Sequence, residues 1–408
     1  MATDKQHKIP NAPNLRFPGF EDEWKNHKVS DLLNFFPTNS LSWEQLVYDI
    51  DSIQNLHYGL IHVGLPTSVN LKHVKLPCIK NEFIPRNYEL CKNGDVAFAD
   101  ASEDTNDVAK AIEFTDLDNK MVVCGLHTIH GRDKGNLTIS GFKGYAFASP
   151  AFHNQIRRIA QGTKVFSISN KNFDECVIGI PLKEEQRKIA DLFTLIDDRI
   201  QTQIGAIEDY KKLKEYLIDK LIKQQDYTMK IGDVIVQRAE RNKKGDNYTV
   251  LSVSNQKGFI AQSEQFEERE VASEDKSNYK IVRRDDFAYN PARINVGSIA
   301  RLTNYDGGIV SPMYICFHTY ENVLSEFLDY FFESRYFAAE VEKRLEGSVR
   351  LCLSYDGLCD IPIQIPNVEK QRAIIQKLDA VSQKIVLEEQ CLDLYKQQKD
   401  YLLKNMFV

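Results

Sequence analysis

No run in the 408-residue sequence approaches the ~18 consecutive apolar residues that an α-helical membrane span needs. The first twenty residues, MATDKQHKIPNAPNLRFPGF, hold no apolar core of the kind a secretory leader carries. A cytoplasmic chain with no membrane partner is the expectation. The eight cysteines (Cys78, Cys91, Cys124, Cys176, Cys316, Cys352, Cys359, Cys391) include no C-x-x-C pair and none at zinc-site spacing from a histidine. That argues against a zinc ribbon, and leaves reduced, largely buried thiols and no metal site as the expectation. Positive charge is in deficit, with 52 Lys+Arg against 58 Asp+Glu and a net charge of −6. Phosphate neutralisation supplies most non-specific affinity for nucleic acid, so this balance argues against a self-sufficient binder. It does not exclude one that borrows positive charge from a partner. Catalytic signatures are missing as well: there is no G-x-x-x-x-G-K-[ST], H-E-x-x-H, G-x-S-x-G or G-x-G-x-x-G.

What the chain does contain is itself, twice. "IPLKEEQRKI" (180–189) returns as "IPNVEKQRAI" (365–374), 185 positions later. At the same offset "QGTKVFSISNKNFDECVIGIP" (161–181) matches "EGSVRLCLSYDGLCDIPIQIP" (346–366), and "YKKLKEYLIDKLI" (210–222) matches "YKQQKDYLLKNMF" (395–407). Upstream the offset widens. "NYELCKNGDVAF" (87–98) pairs with "NYKIVRRDDFAY" (278–289), and "KVSDLL" (28–33) with "KIGDVI" (230–235). Each copy is a variable globular part followed by a closely matched tail. The first copy runs over 17–225 and the second over 226–408, with "KQQDY" (223–227) as linker. Two copies are too few for a solenoid, so a pseudo-two-fold protein is expected.

The tails read as long helices. Residues 183–224 hold no proline and one glycine, Gly205, and 367–408 hold neither. Set as heptads, the first tail places Ile189, Ile196, Gln203, Tyr210 and Leu217 at a, and Phe193, Ile200, Ile207, Lys214 and Leu221 at d. The second places Ile374, Val381, Glu388, Tyr395 and Leu402 at a, and Leu378, Ile385, Leu392, Lys399 and Met406 at d. Forty residues make a rod of about 60 Å. If the rods pair antiparallel, one register sets Lys214 against Glu388 and Gln203 against Lys399, so that each polar seam residue meets a polar partner. Snorkelling of these groups to solvent is the other reading.

The globular parts mix short strands ("GDVAFA" 94–99, "MVVCGL" 121–126, "YTVLSVS" 248–254, "DDFAYN" 285–290, "SPMYICFHT" 311–319) with helix, including one amphipathic helix over 325–347 ending at Gly347. Its counterpart, 148–162, ends at Gly162. The fold class is therefore α+β. "YNPAR" (289–293) resembles the Asn-Pro-Pro-aromatic motif of amino-methyltransferases, but it lacks the second proline and the aromatic that stacks a flipped base. A loop after a strand is the better reading.

Polar, basic loops are the candidate nucleic-acid contacts. In the first copy these residues are Arg132, Lys134 and Lys143. In the second they are Arg241, Lys243, Lys244, Asn290, Arg293, Asn295 and Arg301. Arg forks onto guanine and Asn onto adenine, whereas Lys meets phosphate. A plain solvated surface is the competing reading of any one such loop.

In their order, twice over, "LRFPGF" with "EWKNHKVSDLL" (15–33), the two "IP…QR" helix starts, the two "Y-K-x-x-K-x-Y-L" tails, and "DDFAYNPARINVGSIA" with "GGIVSPMY" resemble the specificity subunit of type I restriction–modification systems. The resemblance covers essentially the whole chain. It implies two target-recognition domains, 17–180 and 226–364, each reading half of a bipartite double-stranded DNA target. Two antiparallel coiled-coil spacer helices, 181–225 and 365–408, would separate them and dock two methyltransferase subunits. Restriction subunits would join the full complex. The chain itself would be no enzyme and hold no cofactor; S-adenosylmethionine, ATP and Mg would belong to partner subunits. The expected partner-facing and helix-pairing residues are Gln186, Arg187, Ile200, Ile207, Lys214, Gln371, Arg372, Ile385, Glu388 and Lys399. Two other readings fit the residues: a self-contained adenine methyltransferase with a fused recognition domain, and a coiled-coil scaffold with two protein-binding domains.

Overall fold

A computed structural model describes residues 11–222, 229–255, 257–265, 276–347 and 350–408. The linker expected at 223–227 lies outside the described residues. The chain divides into two units: Met1–Ile204 with Gln390–Val408, and Gly205–Glu389. Each unit thus contains the distal part of the other copy's long helix.

In the first unit, strands whose central members are continuously buried build a five-stranded sheet in the order Leu33–Phe36, Thr128–Asp133, Val96–Ala99, Ala111–Asp116, Ser68–Asn70. A four-stranded sheet runs Val122–Cys124, Gln54–Leu56, Cys78–Ile79, Leu46–Val47. Its core is aromatic. Phe98 meets Phe147 edge-on at 4.9 Å and packs against Phe173 at 4.9 Å, contacts worth about 0.5–1.5 kcal/mol each beyond area burial. The second unit has two four-stranded sheets. One runs Ile235–Arg238, Ile315–Thr319, Phe287–Tyr289, Ile299–Arg301; the other runs Gly258–Ala261, Val250–Ser254, Gly307–Val310, Lys280–Arg283.

The repeat seen in the sequence is a repeat of contacts. An antiparallel clasp, Lys25–Lys28 on Val177–Ile180, recurs as Met229–Lys230 on Pro362–Ile363. Leu90 bridges Val123 as Ile281 pairs with Ile309. Ser149 and Ser334 cap equivalent helices by accepting from the N–H of Phe152 and Phe337. Ser334 also corrects the expectation of one helix over 325–347. There are two, Ser325–Phe332 and Arg335–Glu342, because Ser334 adopts an extended backbone and its hydroxyl caps the second. The first copy is broken in the same way, with helices Lys143–Ala148 and Pro150–Ile159. Gly162 and Gly347 have φ of +143° and +125°. A Cβ on either would lie 1.9 or 2.2 Å from a backbone carbonyl oxygen, so both turns require glycine.

The long helices span Lys183–Ile222 and Val368–Asn405. They pair antiparallel: within the first unit, Asp197 meets Lys399 and Arg199 lies over the Tyr395 ring. Ile200, Ile207 and Ile385 are buried, as the heptad reading expects. Towards each C-terminus the buried row shifts, although Met406 stays buried at its expected d position. Ile218 and Ile222, with Leu403 and Phe407, are buried, whereas Leu217, Leu221 and Leu402 are half-buried. There the helices pack onto a globular core, and a straight 3.6-residue helix drifts from a strict seven-residue repeat.

The polar seam residues also differ from expectation. Lys214 pairs with Glu333 at 2.7 Å and lies over the Tyr330 ring. Lys399 pairs with Asp197 at 2.6 Å and lies over the Tyr145 ring. Glu388 forms its ion pair with Lys384, one turn back on the same helix. The expected Lys214–Glu388 and Gln203–Lys399 pairs are thus replaced. Each lysine reaches a carboxylate and an aromatic ring that the heptad pattern does not include.

Gln186 and Gln371 do not face a partner; both are 0% exposed. The Gln186 amide donates to Pro181 O and Leu137 O, and its Oε1 accepts from the Ile139 N–H. Gln371 repeats this with Pro366 O, Asn322 O and the Leu324 N–H. The glutamines lock each helix start to the loop before the helices of its globular part. Glu185 is likewise buried, on the Arg16 guanidinium. Gln186→Ala removes the partner of three backbone groups, one of them, Pro181 O, in a fully buried bond, and is expected to cost about 1–3 kcal/mol. Urea unfolding measures this, and a loss below about 0.5 kcal/mol refutes the lock.

Candidate nucleic-acid interface

A base or phosphate contact needs a donor that is exposed and not already spent on the protein. That criterion separates the candidate cations.

Arg132 is spent. Its guanidinium donates to Asp95 (2.8–3.2 Å), Glu89 (2.7 Å) and Leu90 O (2.8 Å) and stacks on Phe36 at 4.5 Å. Hydrogen bonding to Asp95 raises its pKa further above the ordinary arginine value. Lys143 is buried, with its ammonium 3.2 Å from Glu113 and 2.9 Å from Thr138 Oγ1. Arg301 is held by Asp285, Asp329 and Glu326. All three are framework cations, neutralised by carboxylates far away in the sequence. Asn290 is buried too; its side chain accepts from the Ala292 N–H and shapes the turn instead of reaching outward.

The remaining second-copy candidates gather on two tight loops of the second unit. In the first loop Asn242 is buried, donates to Asp246 O and accepts from the Asp246 N–H, both at 3.0 Å. Gly245 closes the turn at φ +66°. Lys243 and Lys244 project from it, exposed, beside Arg241, which donates to Asn278. The second loop follows strand Phe287–Tyr289. The Asn290 N–H donates to Ser298 O and the Ser298 N–H to Arg293 O, and Gly297 takes the left-handed conformation at φ +86°. Arg293 and Asn295 are exposed on this loop and, with Asn290, Met313 and Arg350, line one cavity. The loop backbone is closed by its own hydrogen bonds, and the Arg293 guanidinium and the Asn295 amide are left exposed on it. Lys134, the remaining first-copy candidate, is exposed but donates to Ser30 O at 2.6 Å.

The first unit has a surface of another kind, which spacing in the sequence could not find. Trp43 lies 4.5 Å from His57, His57 4.8 Å from Tyr58, and Tyr58 5.1 Å from His127. Trp43 and His127 are exposed. His127 sits at φ +54°, a strained conformation for a non-glycine residue, with Nδ1 3.0 Å from Asp100. His57 is buried, and desolvation, then the neighbouring His127, lowers its pKa. Lys80 approaches the same strip, donating to Glu44 O at 2.7 Å. These rings come from segments up to 84 positions apart, so no window of sequence shows them together.

On the long helices Arg187 and Arg372 are exposed, as a partner-facing role requires.

Two α+β units, each completed by the far end of the other copy's helix and each with its own exposed polar or aromatic surface, define a duplicated chain joined by paired helices. No protein-family model and no curated protein matches the sequence. Solved structures do. An S subunit of a type I restriction–modification system from M. genitalium matches with a TM-score of 0.55 at 14% identity, covering 97% of this chain and 99% of that one. A chain from a structure described as the basis of complex assembly and conformational transition of the type I R-M system matches with a TM-score of 0.57 at 15% identity, covering 96% and 98%. The fold is that of a type I restriction–modification S subunit.

Proposed function

We propose that the chain is the DNA-recognition subunit of a type I restriction–modification complex. Each globular unit reads one half of a bipartite double-stranded target. The long helices set the spacer between the halves and dock two methyltransferase subunits, with restriction subunits in the full assembly. Methyl transfer and cleavage, with S-adenosylmethionine, ATP and Mg, belong to those partners. The observation that carries this reading is the fold match over nearly the full length of both chains. The two copies support it: they keep their helix starts contact for contact while their exposed surfaces diverge, as two readers of different half-sites need. The net charge of −6 fits a reader that relies on partner subunits for part of its phosphate contacts. In this reading Arg293 and Asn295 reach base edges, Lys243 and Lys244 meet phosphates, and the Trp43–Tyr58–His127 strip serves the first half-site.

The test is a domain exchange. The chain is co-expressed with its methyltransferase partner, and methylated adenines are mapped genome-wide. Replacing 17–180 by the corresponding part of another protein of this fold should change one half-site and leave the other half and the spacer unchanged. Methylation without a bipartite preference, or a swap that alters both halves, sinks the proposal.

A further inference from the structure

Two cysteines with no spacing motif come together in the first unit. The Cys91 N–H donates to Val122 O at 2.8 Å, and Cys124 ends the strand Val122–Cys124. Their Sγ atoms lie 3.6 Å apart. His130, on the strand Thr128–Asp133, completes a triangle in which the two sulfurs and one ring nitrogen are all within 4.8 Å of one another. Among the described residues it is the one such cluster of potential metal ligands. All three side chains are buried: Cys91 is 6% exposed, Cys124 2% and His130 0%.

The imidazole is held from behind. His130 Nε2 lies 2.7 Å from Asp95 Oδ2. Asp95 is itself 1% exposed and fixed by the Lys92 N–H and by Arg132. A carboxylate has no proton to give, so Nε2 carries the hydrogen of that bond, and in the neutral ring that binds a metal Nδ1 carries the lone pair. Nδ1 is buried with no hydrogen-bond partner. A buried lone pair without a partner is costly and rare. A histidine whose one nitrogen is anchored on a carboxylate while the other is free is the arrangement that metal-ligating histidines adopt.

We propose that Cys91, Cys124 and His130 bind a thiophilic metal ion, Zn²⁺ by donor type, with Asp95 as the positioning residue for His130. Three features argue against two plain thiols or a disulfide. Two thiolates about 2.3 Å from one tetrahedral ion stand about 3.8 Å apart, close to the separation found here. A thiol–thiol contact or a disulfide would leave Nδ1 unpartnered, whereas an ion uses its lone pair. Two thiolates neutralise a divalent ion, so the ion with its three ligands carries no net charge, and Asp95 behind them faces the Arg132 guanidinium. Three protein donors leave one of zinc's four positions for a water. The site belongs to the first copy alone: at the place of Cys91 the second copy has Val282. Two of its ligands, Cys124 and His130, flank His127. The ion would therefore clamp both ends of the segment that carries it. The metal site stands whether or not His127 touches DNA.

The test uses the full chain, untagged or freed of any His tag, with its partner subunits if solubility requires them, and kept reduced. After dialysis against metal-free buffer, elemental analysis should find about one Zn²⁺ more per chain than in the same preparation of Cys91→Ser or Cys124→Ser. Cys391→Ser, which removes an exposed cysteine on the second long helix, should retain it. Asp95→Asn should weaken Zn²⁺ binding about 10–100-fold in chelator competition. Because the serine variants could misfold, Co²⁺ is also titrated into the metal-stripped wild-type chain, where thiolate-to-cobalt charge-transfer absorption at one equivalent is expected. Absence of both zinc and the cobalt signal from the folded wild-type chain overturns the proposal. So does a Cys91–Cys124 disulfide that persists under reductant, or equal loss of metal in Cys391→Ser.

Discussion

Lys143→Met is expected to cost about 3–5 kcal/mol of stability at neutral pH, the loss typical when one partner of a buried ion pair is removed. Lys143 is 2% exposed and Glu113 0%. Glu113 also accepts from the Gly141 N–H at 2.9 Å and the Gly144 N–H at 2.8 Å, so without the ammonium a carboxylate would stand in the core with neutral donors alone. Burial pushes the Glu113 pKa up, and Lys143 and the two backbone N–H groups pull it back. The sign of the pH effect follows. A carboxyl group whose folded-state pKa is raised binds its proton more tightly when folded. Its contribution to stability therefore falls as pH rises from the unfolded value, about 4.3, through the folded one. Removing Lys143 raises that pKa further. The penalty should thus be largest near pH 7 and be smaller at pH 5, because a falling pH favours the protonated Glu113, which needs no counter-charge. Urea unfolding of both proteins at the two pH values checks this, and Lys143→Met combined with Glu113→Gln should recover most of the loss. An equal penalty at pH 5 and pH 7 would mean that packing, not charge, is what Lys143 supplies.

Arg293→Ala is expected to weaken binding of the assembled complex to its target about 10–100-fold, the equivalent of about 1–3 kcal/mol, and to relax preference at one position of one half-site. Unlike Arg132 and Arg301, Arg293 is exposed, on a loop closed by Gly297 and by the Asn290 and Ser298 backbone. Its point of attachment is thus fixed by backbone bonds while its guanidinium is not consumed by the carboxylates that hold Arg132 and Arg301, which favours a specific contact over a diffuse one. Lys243→Ala serves as contrast. A phosphate contact carries no sequence information, so its loss should lower affinity uniformly across sequences and reduce the slope of log K against log salt by about 1. Fluorescence anisotropy at several salt concentrations, on the target and on single-base variants, separates the two. If Arg293→Ala behaves as Lys243→Ala does, the loop positions the protein on the backbone and the bases are read elsewhere.

These expectations depend on distinctions that the sequence did not carry. Arg132, Lys143, Arg293 and Arg301 look alike as basic residues in polar stretches. Three of them turn out to be framework because Asp95, Glu89, Glu113, Asp285, Glu326 and Asp329 approach them from other strands and helices. Gln186 and Gln371 read as residues that face a partner subunit, yet both are buried in equivalent hydrogen-bond sets. The seam lysines show the same limit. The heptad pattern placed Lys214 and Lys399 correctly on the inner face, but their carboxylate and ring partners lie outside it.

The sequence by itself determined the duplication, the position and length of both long helices, the buried Ile200, Ile207 and Ile385, and the α+β character of what precedes each helix. These are properties of periodicity and repetition, which the linear order of residues records directly. The tertiary structure alone decided which cations are free, where the Trp43–His57–Tyr58–His127 strip forms, how the helix rows shift to Ile218 and Leu403, and that Cys91 and Cys124 meet His130. Charge neutralisation, ring contact and ligand geometry act across a few ångströms of space. Those ångströms join residues that the chain keeps tens of positions apart.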